Sequence, residues 1–426
     1  MGGEASLGSV IGHGDHRRLL IAGEFGFPNG TGAAARIHAY AKGLRAAGCE
    51  VKVVCLRWSE RRAEGAKNRH ADGLYRGIPF TYSSGSPIRG ATFTRRRVSD
   101  VRSALRFARL VRGTLGQPPA NVILFSNSAL WIVMTVVACR LAGSACVIEK
   151  SEYPFVYAPD TAPTRLWAWL FTRTMYKLVD GVVVISTCLE RYFLARVRHG
   201  ARVIRIPILV DLDEFGVAST HGAPGRDILC YVGNLDHRGE IDGLIDAFCE
   251  VAPRFPVWSL RIIGGSRDPQ ALARFRSRVA SLDLAQRVEF TGSVERTELP
   301  GLLRQAAAFA LPRASGLFST AGFPTKLGEY LATGKPVVVT ATGDIPLYLS
   351  DDVDAFLVPP DDTRAFAARL AEMFADPSAA HAVGARGREA ARQHFDIESQ
   401  CGRLAAFLDE FDAAAKRARK RPPEPT

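Results

Sequence analysis

Lys326 and Glu329 are three residues apart in a pattern that predicts a short helix, directly after Pro324 and Thr325. Residues three apart lie on the same helix face, so this cation and this carboxylate would point in one direction. Proline suits the first turn of a helix, and the threonine adds a hydroxyl donor. The pattern predicts either a polar binding site or an exposed ion pair that contributes only tenths of a kcal/mol.

Two glycine-containing segments each lie between a predicted strand and a predicted helix. Residues 23–32 are GEFGFPNGTG, and residues 231–240 are YVGNLDHRGE, which includes Arg238. Glycine lets the backbone approach a ligand closely, and a helix start offers free N–H groups to a phosphate. The first segment departs from the GxGxxG spacing, so it is either an anion-binding loop or an ordinary strand-to-helix turn. Arg238 is likewise either a phosphate ligand or a solvated turn residue.

The elements that must position these residues alternate along the whole chain. Short β-branched runs alternate with helical patterns, which is typical of βαβ units whose parallel sheets are covered on both faces. The first series comprises residues 18–22, 51–56, 122–126, 146–149, 181–185 and 203–206, and the second comprises 228–232, 260–263, 288–290, 309–311, 336–339 and 356–358. We therefore predict an α/β protein with two Rossmann-like, doubly wound domains that face a cleft, where ligands bind at the carboxyl ends of the strands.

The predicted division of the chain follows these two series. Residues 1–210 form an N-terminal domain, 211–227 a polar linker and 228–395 a C-terminal domain. Residues 396–415 have apolar side chains at helical spacing, and residues 416–426 form a basic tail. Two domains also agree with a length of 426 residues.

Composition excludes several classes of protein. Hydrophobic residues make up 47% and charged residues 23%, which excludes a mostly disordered chain. The eight cysteines include no CxxC pair, which predicts reduced thiols in the core. The longest apolar run, 129–139, is too short to span a bilayer, and the first residues lack the layout of a secretory signal. We therefore expect a cytoplasmic protein.

Positive charge is concentrated in the first half of the chain. Residues 1–210 have 30 basic and 13 acidic side chains, whereas residues 211–426 have 25 and 30. The segment 95–112, which begins at Arg95 and ends at Arg112, combines arginines with apolar residues at helical spacing and predicts an amphipathic basic helix. This helix is either a binding face for anionic lipid headgroups, with Trp167 and Trp169 as added anchors, or a solvated face beside buried aromatics. We do not expect nucleic-acid binding, because no recognition helix or aromatic stacking repeat is evident.

Five segments together resemble the retaining GT-B glycosyltransferases of glycosyltransferase family 4. They are residues 26–32, 206–215, 231–248, 323–339 and 345–362, in the order and spacing of the family. The resemblance implies transfer of a sugar from a nucleotide-diphosphate sugar to an acceptor hydroxyl, with retention at the anomeric carbon. It also implies that the second domain holds the donor and the first domain the acceptor, that no metal or other cofactor takes part, and that the C-terminal helix crosses back onto the first domain.

The resemblance implies roles for individual residues on the donor side. Arg238 and Lys326 would bind the donor diphosphate and stabilise the charge that grows on it during transfer. Glu329 would accept hydrogen bonds from the ribose hydroxyls. The other residues expected around the donor are Gly30, Thr31, Asn234, Ser293, Val294, Phe323, Thr325 and the amide of Leu327.

Three positions depart from the usual pattern of the family. Ala321 stands where the first of two carboxylates is usual, so that backbone amides of residues 319–323 would do its work, the sugar preference would differ, or activity would be lost. Asn234 stands where an arginine is common, which removes one expected diphosphate cation. Residues 126–128 are Ser-Asn-Ser where a histidine often occurs, so the leaving phosphate oxygen would take the acceptor proton.

The acceptor side is less marked in the sequence. Asn127 and Glu152 are the predicted acceptor contacts, and Glu152 is assigned a catalytic role with Arg238 and Lys326, or is a solvated loop carboxylate. His38 either faces the cleft or is an ordinary packed or surface histidine.

The predicted acceptor is a lipid-linked or polysaccharide-type saccharide at the cytosolic membrane face, or else a small molecule. Two other functions remain open at this point. A nucleotide-sugar epimerase of the same architecture would convert the donor without an acceptor. A catalytically weakened nucleotide-sugar-binding partner, consistent with Ala321 and Asn234, would bind nucleotide diphosphate without turnover.

Overall fold

The computed structural model describes residues 17–30, 32–62, 64–113, 118–155, 161–216, 227–266 and 268–420, with side chains up to residue 411. Within these ranges the chain forms two β-sheets, one from each predicted series of strands, with helices packed around them. The predicted α/β architecture with two doubly wound sheets is confirmed. Most of the predicted linker, residues 217–226, lies outside the described residues.

The first sheet has eight strands. They are β1 Arg18–Gly23, β2 Glu50–Cys55, β3 Asp72–Tyr75, β4 Ile78–Tyr82, β5 Asn121–Phe125, β6 Ala145–Lys150, β7 Gly181–Val184 and β8 Arg202–Arg205. Their order in the sheet is β3-β4-β2-β1-β5-β6-β7-β8, and only the β3–β4 pair is antiparallel.

The hairpin β3–β4 is the part of this sheet that the sequence did not predict. Its strands are short, and the two turn residues Arg76 and Gly77 both have positive φ, 48° and 78°. Such a two-residue turn matches the right-handed twist of the flanking strands. The hairpin brings Tyr75 and Arg76 to the cleft, as described below.

Five helices connect the strands of the first sheet: α1 Gly32–Ala46, α2 Phe93–Val111, α3 Ala129–Ala142, α4 Ala162–Thr174 and α5 Thr187–Leu194. Hydroxyl side chains cap three of them, because Thr92, Thr161 and Ser186 each accept a hydrogen bond from an amide in the first turn. Helix α3 is followed by Gly143, whose φ of 71° is the left-handed conformation that favours glycine.

The second sheet has six parallel strands, all of them predicted. They are β9 Asp227–Val232, β10 Trp258–Ile263, β11 Val288–Gly292, β12 Ala308–Leu311, β13 Val337–Thr340 and β14 Phe356–Val358, in the order β11-β10-β9-β12-β13-β14. The remaining helices are α6 Leu212–Phe215, α7 Arg238–Val251, α8 Ala271–Ser281, α9 Leu299–Gln305, α10 Leu317–Ala321, α11 Thr325–Ala332, α12 Ile345–Tyr348, α13 Thr363–Ala375, α14 Pro377–Phe395 and α15 Ile397–Lys420.

Helix α15 leaves the second sheet and packs on the first. Cys401 and Leu404 are buried in the same core as the strands β1 and β2. A Cβ on Gly43 of α1 would lie 2.6 Å from the Cys401 sulfur, so the two helices approach at a distance that only glycine allows. The tail predicted as basic continues α15 to Lys420, and residues 421–426 lie outside the described part.

The predicted state of the cysteines is confirmed, because all eight are free of disulfide bonds and six of them are buried. None of the helices in the described ranges combines the length and the apolar character that a membrane crossing requires.

Candidate functional site

A cavity of about 370 Å³ lies between the carboxyl ends of the two sheets. The first domain lines it with Gly30 after β1 and with His38 of α1. The second domain lines it with Asn234 after β9 and with Ser293 and Val294 after β11. Loops at strand ends that are distant in sequence thus meet at one place, as parallel sheets require.

The charged side chains that line this cavity are mainly positive. Lys67 and Arg76 come from the first domain, and Arg296 and Lys326 from the second. The two carboxylates in the lining are Glu214 and Glu295, and Glu295 pairs with Lys67 at 3.0 Å. This balance of charge favours an anionic ligand.

Lys326 and Arg296 share one buried carboxylate. The Lys326 Nζ lies 3.0 Å from one oxygen of Glu329, and the Arg296 Nη1 lies 2.5 Å from the other. Glu329 is only 5% exposed. Burial alone would raise the pKa of Glu329, but the two cations outweigh it and hold this pKa below its ordinary value.

Helix α11 positions Lys326 and Glu329 because its other face is fixed in the core. Tyr330 stacks on Phe309 of β12 with ring centroids 4.3 Å apart. The Tyr330 hydroxyl accepts a hydrogen bond of 2.6 Å from the amide of Val232, at the end of β9. The predicted helical spacing of Lys326 and Glu329 is therefore real, and the pair is partly buried in the cleft rather than exposed on the surface.

Arg238 is not brought to Lys326. Its guanidinium pairs with Asp268 at 2.8 Å, its side chain is 57% exposed, and it is not part of the cavity lining. Asn234 does line the cavity, where its side-chain oxygen accepts a hydrogen bond from the amide of Asp236. In the structure Arg238 pairs with Asp268 at an exposed position, and Arg296 is the cation beside Lys326. That Arg238 and Lys326 bind one diphosphate together stays a prediction.

Several predicted donor contacts have structural partners of their own. The Leu327 amide donates to the carbonyl of Pro324, and the Leu327 side chain is buried. Phe323 is also buried and lies against the rings of Tyr348 and Phe395. These two residues therefore support α11, whereas Thr325 is half-buried at its first position. Thr31 lies outside the described residues.

Ala321 is buried at a contact between the domains, with its carbonyl accepting a 2.5 Å hydrogen bond from the Ser186 hydroxyl. Two of the amides around it, those of Thr320 and Gly322, already donate to carbonyls of α10 or its N-cap residue. Two of the amides that were expected to replace the usual carboxylate are therefore already used in hydrogen bonds within the protein.

His38 lines the cavity, which agrees with the first of the two alternatives, that it faces the cleft. Burial, together with the nearby charge of Arg76, lowers its pKa to about 4. Its ring packs edge-on against Tyr75, with centroids 5.7 Å apart. At neutral pH this wall of the cleft therefore presents a neutral imidazole.

The predicted acceptor residues lie at the ends of β5 and β6. Asn127 is exposed, and its side-chain oxygen accepts a hydrogen bond from Lys150, a buried residue that the sequence analysis did not single out. The Lys150 Nζ also donates to the Ser126 carbonyl at 2.6 Å, and burial lowers the Lys150 pKa to about 8. Glu152 is exposed beside Tyr153, which lines a second cavity of about 490 Å³ between the domains.

Comparisons with known proteins agree with this geometry. The family described as "Glycosyl transferases group 1" matches residues 218–390, and the "Glycosyl transferase 4-like domain" matches residues 31–208. Among curated relatives, a GDP-mannose-dependent alpha-(1-6)-phosphatidylinositol monomannoside mannosyltransferase of Mycolicibacterium smegmatis is 28% identical over 57% of this chain and 66% of its own length. A putative colanic acid biosynthesis glycosyltransferase of Salmonella typhimurium is 29% identical over 47% of this chain and 49% of its own length. The matches thus span about half to just under two-thirds of these relatives.

Many solved structures share the fold, and two of them illustrate it. Sucrose-phosphate synthase from Thermosynechococcus elongatus has a TM-score of 0.70 at 19% identity and covers 94% of this chain and 100% of its own. The Anabaena protein HepE in complex with UDP and glucose has a TM-score of 0.69 at 16% identity, covering 92% and 100%.

Proposed function

The chain belongs to the GT-B glycosyltransferases of the group 1, family 4 type, and we propose that it transfers a sugar from a nucleotide-diphosphate sugar to an acceptor hydroxyl, with retention at the anomeric carbon. One observation carries the proposal. Four basic side chains from two domains line a cavity at the carboxyl ends of both sheets. A nucleoside diphosphate supplies the matching negative charge.

The positive charges of the cleft can stabilise a nucleoside diphosphate as it leaves the sugar. As the bond to the sugar breaks, negative charge grows on the leaving phosphate, and fixed cations stabilise that state more than the ground state. We assign this role to Lys326, because it lines the cavity and is held in place by its ion pair with Glu329. Cations of the chain would thereby do the work of a divalent metal.

The proton of the acceptor hydroxyl passes, in this proposal, to the leaving phosphate oxygen on the same face of the sugar. Two nearby groups, Glu329 and His38, are not better bases. Glu329 carries a lowered pKa and is held by two cations, and His38 stands in the donor part of the cleft. In this proposal Asn127 and Glu152 orient the acceptor, so Glu152 contributes to catalysis by positioning rather than as a base.

We further propose that the acceptor is a lipid-linked or polysaccharide-type saccharide at an anionic membrane surface. Helix α2 exposes the apolar residues Val98, Val101 and Leu105, at 58%, 60% and 55%, between arginines. Helix α3, which packs beside it, exposes Leu130 and Leu141 at 64% and 67%. Exposed apolar side chains among basic ones are typical of surfaces that bind anionic lipid. A relative whose acceptor is a phosphatidylinositol monomannoside supports the same acceptor class.

The proposal is tested by titration and turnover with a panel of donors. Calorimetric titration with GDP, UDP, GDP-mannose and UDP-glucose is expected to show binding of at least one nucleoside diphosphate. Incubation of the matching sugar nucleotide with membrane lipid extracts is expected to release the nucleoside diphosphate only when an acceptor is present. Failure to bind any of the four nucleotides would refute the proposal.

A second function, nucleotide-sugar binding without turnover, is favoured by one observation. Ala321 stands where the family usually has a carboxylate. It is buried, and its carbonyl accepts a hydrogen bond from the Ser186 hydroxyl. A protein of this kind would bind a nucleoside diphosphate in the titration, yet release none of it with lipid, polysaccharide or small-molecule acceptors. Turnover with any acceptor excludes it.

A further inference from the structure

Arg296 is a cation of the donor cleft that the family resemblance did not single out. It follows β11, two residues after Val294, and its side chain lines the cavity together with that of Lys326. The loop after β9 supplies no cation to the described cavity lining. Asn234 carries no charge, and Arg238 pairs with Asp268 outside the cavity lining.

Contacts within the protein orient the Arg296 side chain in the cleft. Its Nη1 is bound by Glu329, and its guanidinium lies over the ring of Phe215, 5.1 Å from the centroid. Its Nη2 faces Glu214 at 3.7 Å, which is longer than a hydrogen bond. The Nη2 edge of the Arg296 guanidinium is therefore only loosely held. A phosphate oxygen can bind there, because a guanidinium has several N–H donors.

Glu214 loses little if an anion replaces it at Arg296. Its carboxylate also pairs with Arg76 of the first domain at 3.1 Å, and this pair does not depend on Arg296. Glu214 therefore places one carboxylate between a cation of each domain, Arg76 and Arg296, and we call it the stand-in anion. An arriving diphosphate would compete with Glu214 for Arg296 and leave Glu214 paired with Arg76.

We propose that Arg296 is a donor-binding residue that contacts the phosphates of the nucleotide, so that it and Lys326 form the cation pair of the site and compensate for the asparagine at position 234. The inference rests on the proposed function. The simpler alternative is that Arg296 only braces Glu329, and the two differ in what they predict for ligands with and without phosphates.

The test compares a nucleoside diphosphate with its nucleoside by calorimetric titration. GDP with guanosine, or UDP with uridine, is used according to which diphosphate the wild-type protein binds. Arg296→Gln is expected to weaken diphosphate binding about tenfold or more and nucleoside binding by less than about twofold. Arg278→Gln is the matched control, because it removes an arginine that pairs with Asp246 on the surface of the same domain. The control is expected to bind both ligands as the wild type does.

Glu214→Gln supplies a second, independent readout in case Arg296→Gln folds poorly. Glu214→Gln removes the negative charge that competes with a phosphate for the Arg296 Nη2, so diphosphate binding is expected to tighten about threefold while nucleoside binding stays unchanged. The inference is overturned if Arg296→Gln binds the diphosphate with wild-type affinity, if it loses nucleoside and diphosphate binding equally, or if Glu214→Gln binds the diphosphate no more tightly. A wild-type protein that binds neither nucleotide would overturn the proposed function as well, whereas the other outcomes leave that function standing.

Discussion

Asp344 of the second domain accepts hydrogen bonds from both the amide and the hydroxyl of Thr187 in the first domain, and the amide nitrogen lies 2.7 Å from its carboxylate. Arg205 of the first domain adds a longer contact at 3.4 Å. Asp344 is only 3% exposed. One buried carboxylate thus ties the two sides of the cleft together at the end opposite Ser293 and Val294, beyond the β7 and β13 strand ends.

Asp344→Asn is expected to lower the free energy of unfolding by about 1–3 kcal/mol, because a charged acceptor of two hydrogen bonds is replaced by a neutral group in a buried position. Urea unfolding followed by circular dichroism measures the loss. Asp352→Asn is the control, since Asp352 pairs with Arg369 at the surface and is itself 60% exposed in its side chain. Equal stabilities of the two variants would contradict the role assigned to Asp344.

Glu329 predicts a specific dependence of stability on pH. Its pKa is lowered from an ordinary 4.5 in the folded protein, so it stabilises the fold above that pH and loses this contribution as pH falls through the lowered value. The stability difference between wild type and Glu329→Gln is therefore expected to be present at pH 7 and to shrink below pH 4.5. Unfolding curves at a series of pH values test this.

Glu289→Gln serves as the control for that series. Glu289 pairs with Arg261 on the surface, with its side chain 57% exposed, so its replacement is expected to change stability little at any pH. A stability difference for Glu329→Gln that stays constant down to acid pH would show that the Glu329 carboxylate gains nothing from its two cations.

The apolar face of α3 leads to a prediction about membrane binding. Leu141→Glu is expected to reduce binding to vesicles that contain phosphatidylglycerol several-fold, because a charge replaces an exposed apolar side chain on the proposed lipid-facing surface. Flotation with the vesicles measures the bound fraction. Leu347→Glu is the matched control, since Leu347 is similarly exposed, at 62% against 67%, but lies on α12 of the second domain. Equal binding of the two variants would place the lipid contact elsewhere.

The elements of the fold were predictable because buried parallel strands appear in sequence as short apolar runs between helical patterns. All six strands of the second sheet carry this signal, whereas the β3–β4 hairpin does not, since β3 is largely exposed at the edge of its sheet. The same logic located the loop that holds Asn234 and the helix that begins beside Lys326, whereas Ser293 was implied by the family resemblance. All three residues line one cavity.

The directions of the long charged side chains could not be predicted in this way. Arg238 turns to Asp268, which is 30 residues away in sequence, and Arg296 turns to Glu329, which is 33 away. Both choices depend on the folded arrangement of loops. An arginine in a polar loop looks the same in sequence whether it is solvated or lines a binding site.

The most direct test of the account is the affinity of Lys326→Ala for the nucleoside diphosphate that the wild-type protein binds, measured by calorimetric titration beside Lys177→Ala, which removes an exposed lysine of the first domain. We predict that Lys326→Ala loses about 1–3 kcal/mol of binding free energy, the magnitude of a charge-assisted contact, and that Lys177→Ala loses none. Wild-type affinity in Lys326→Ala would contradict the placement of the donor diphosphate in this cleft.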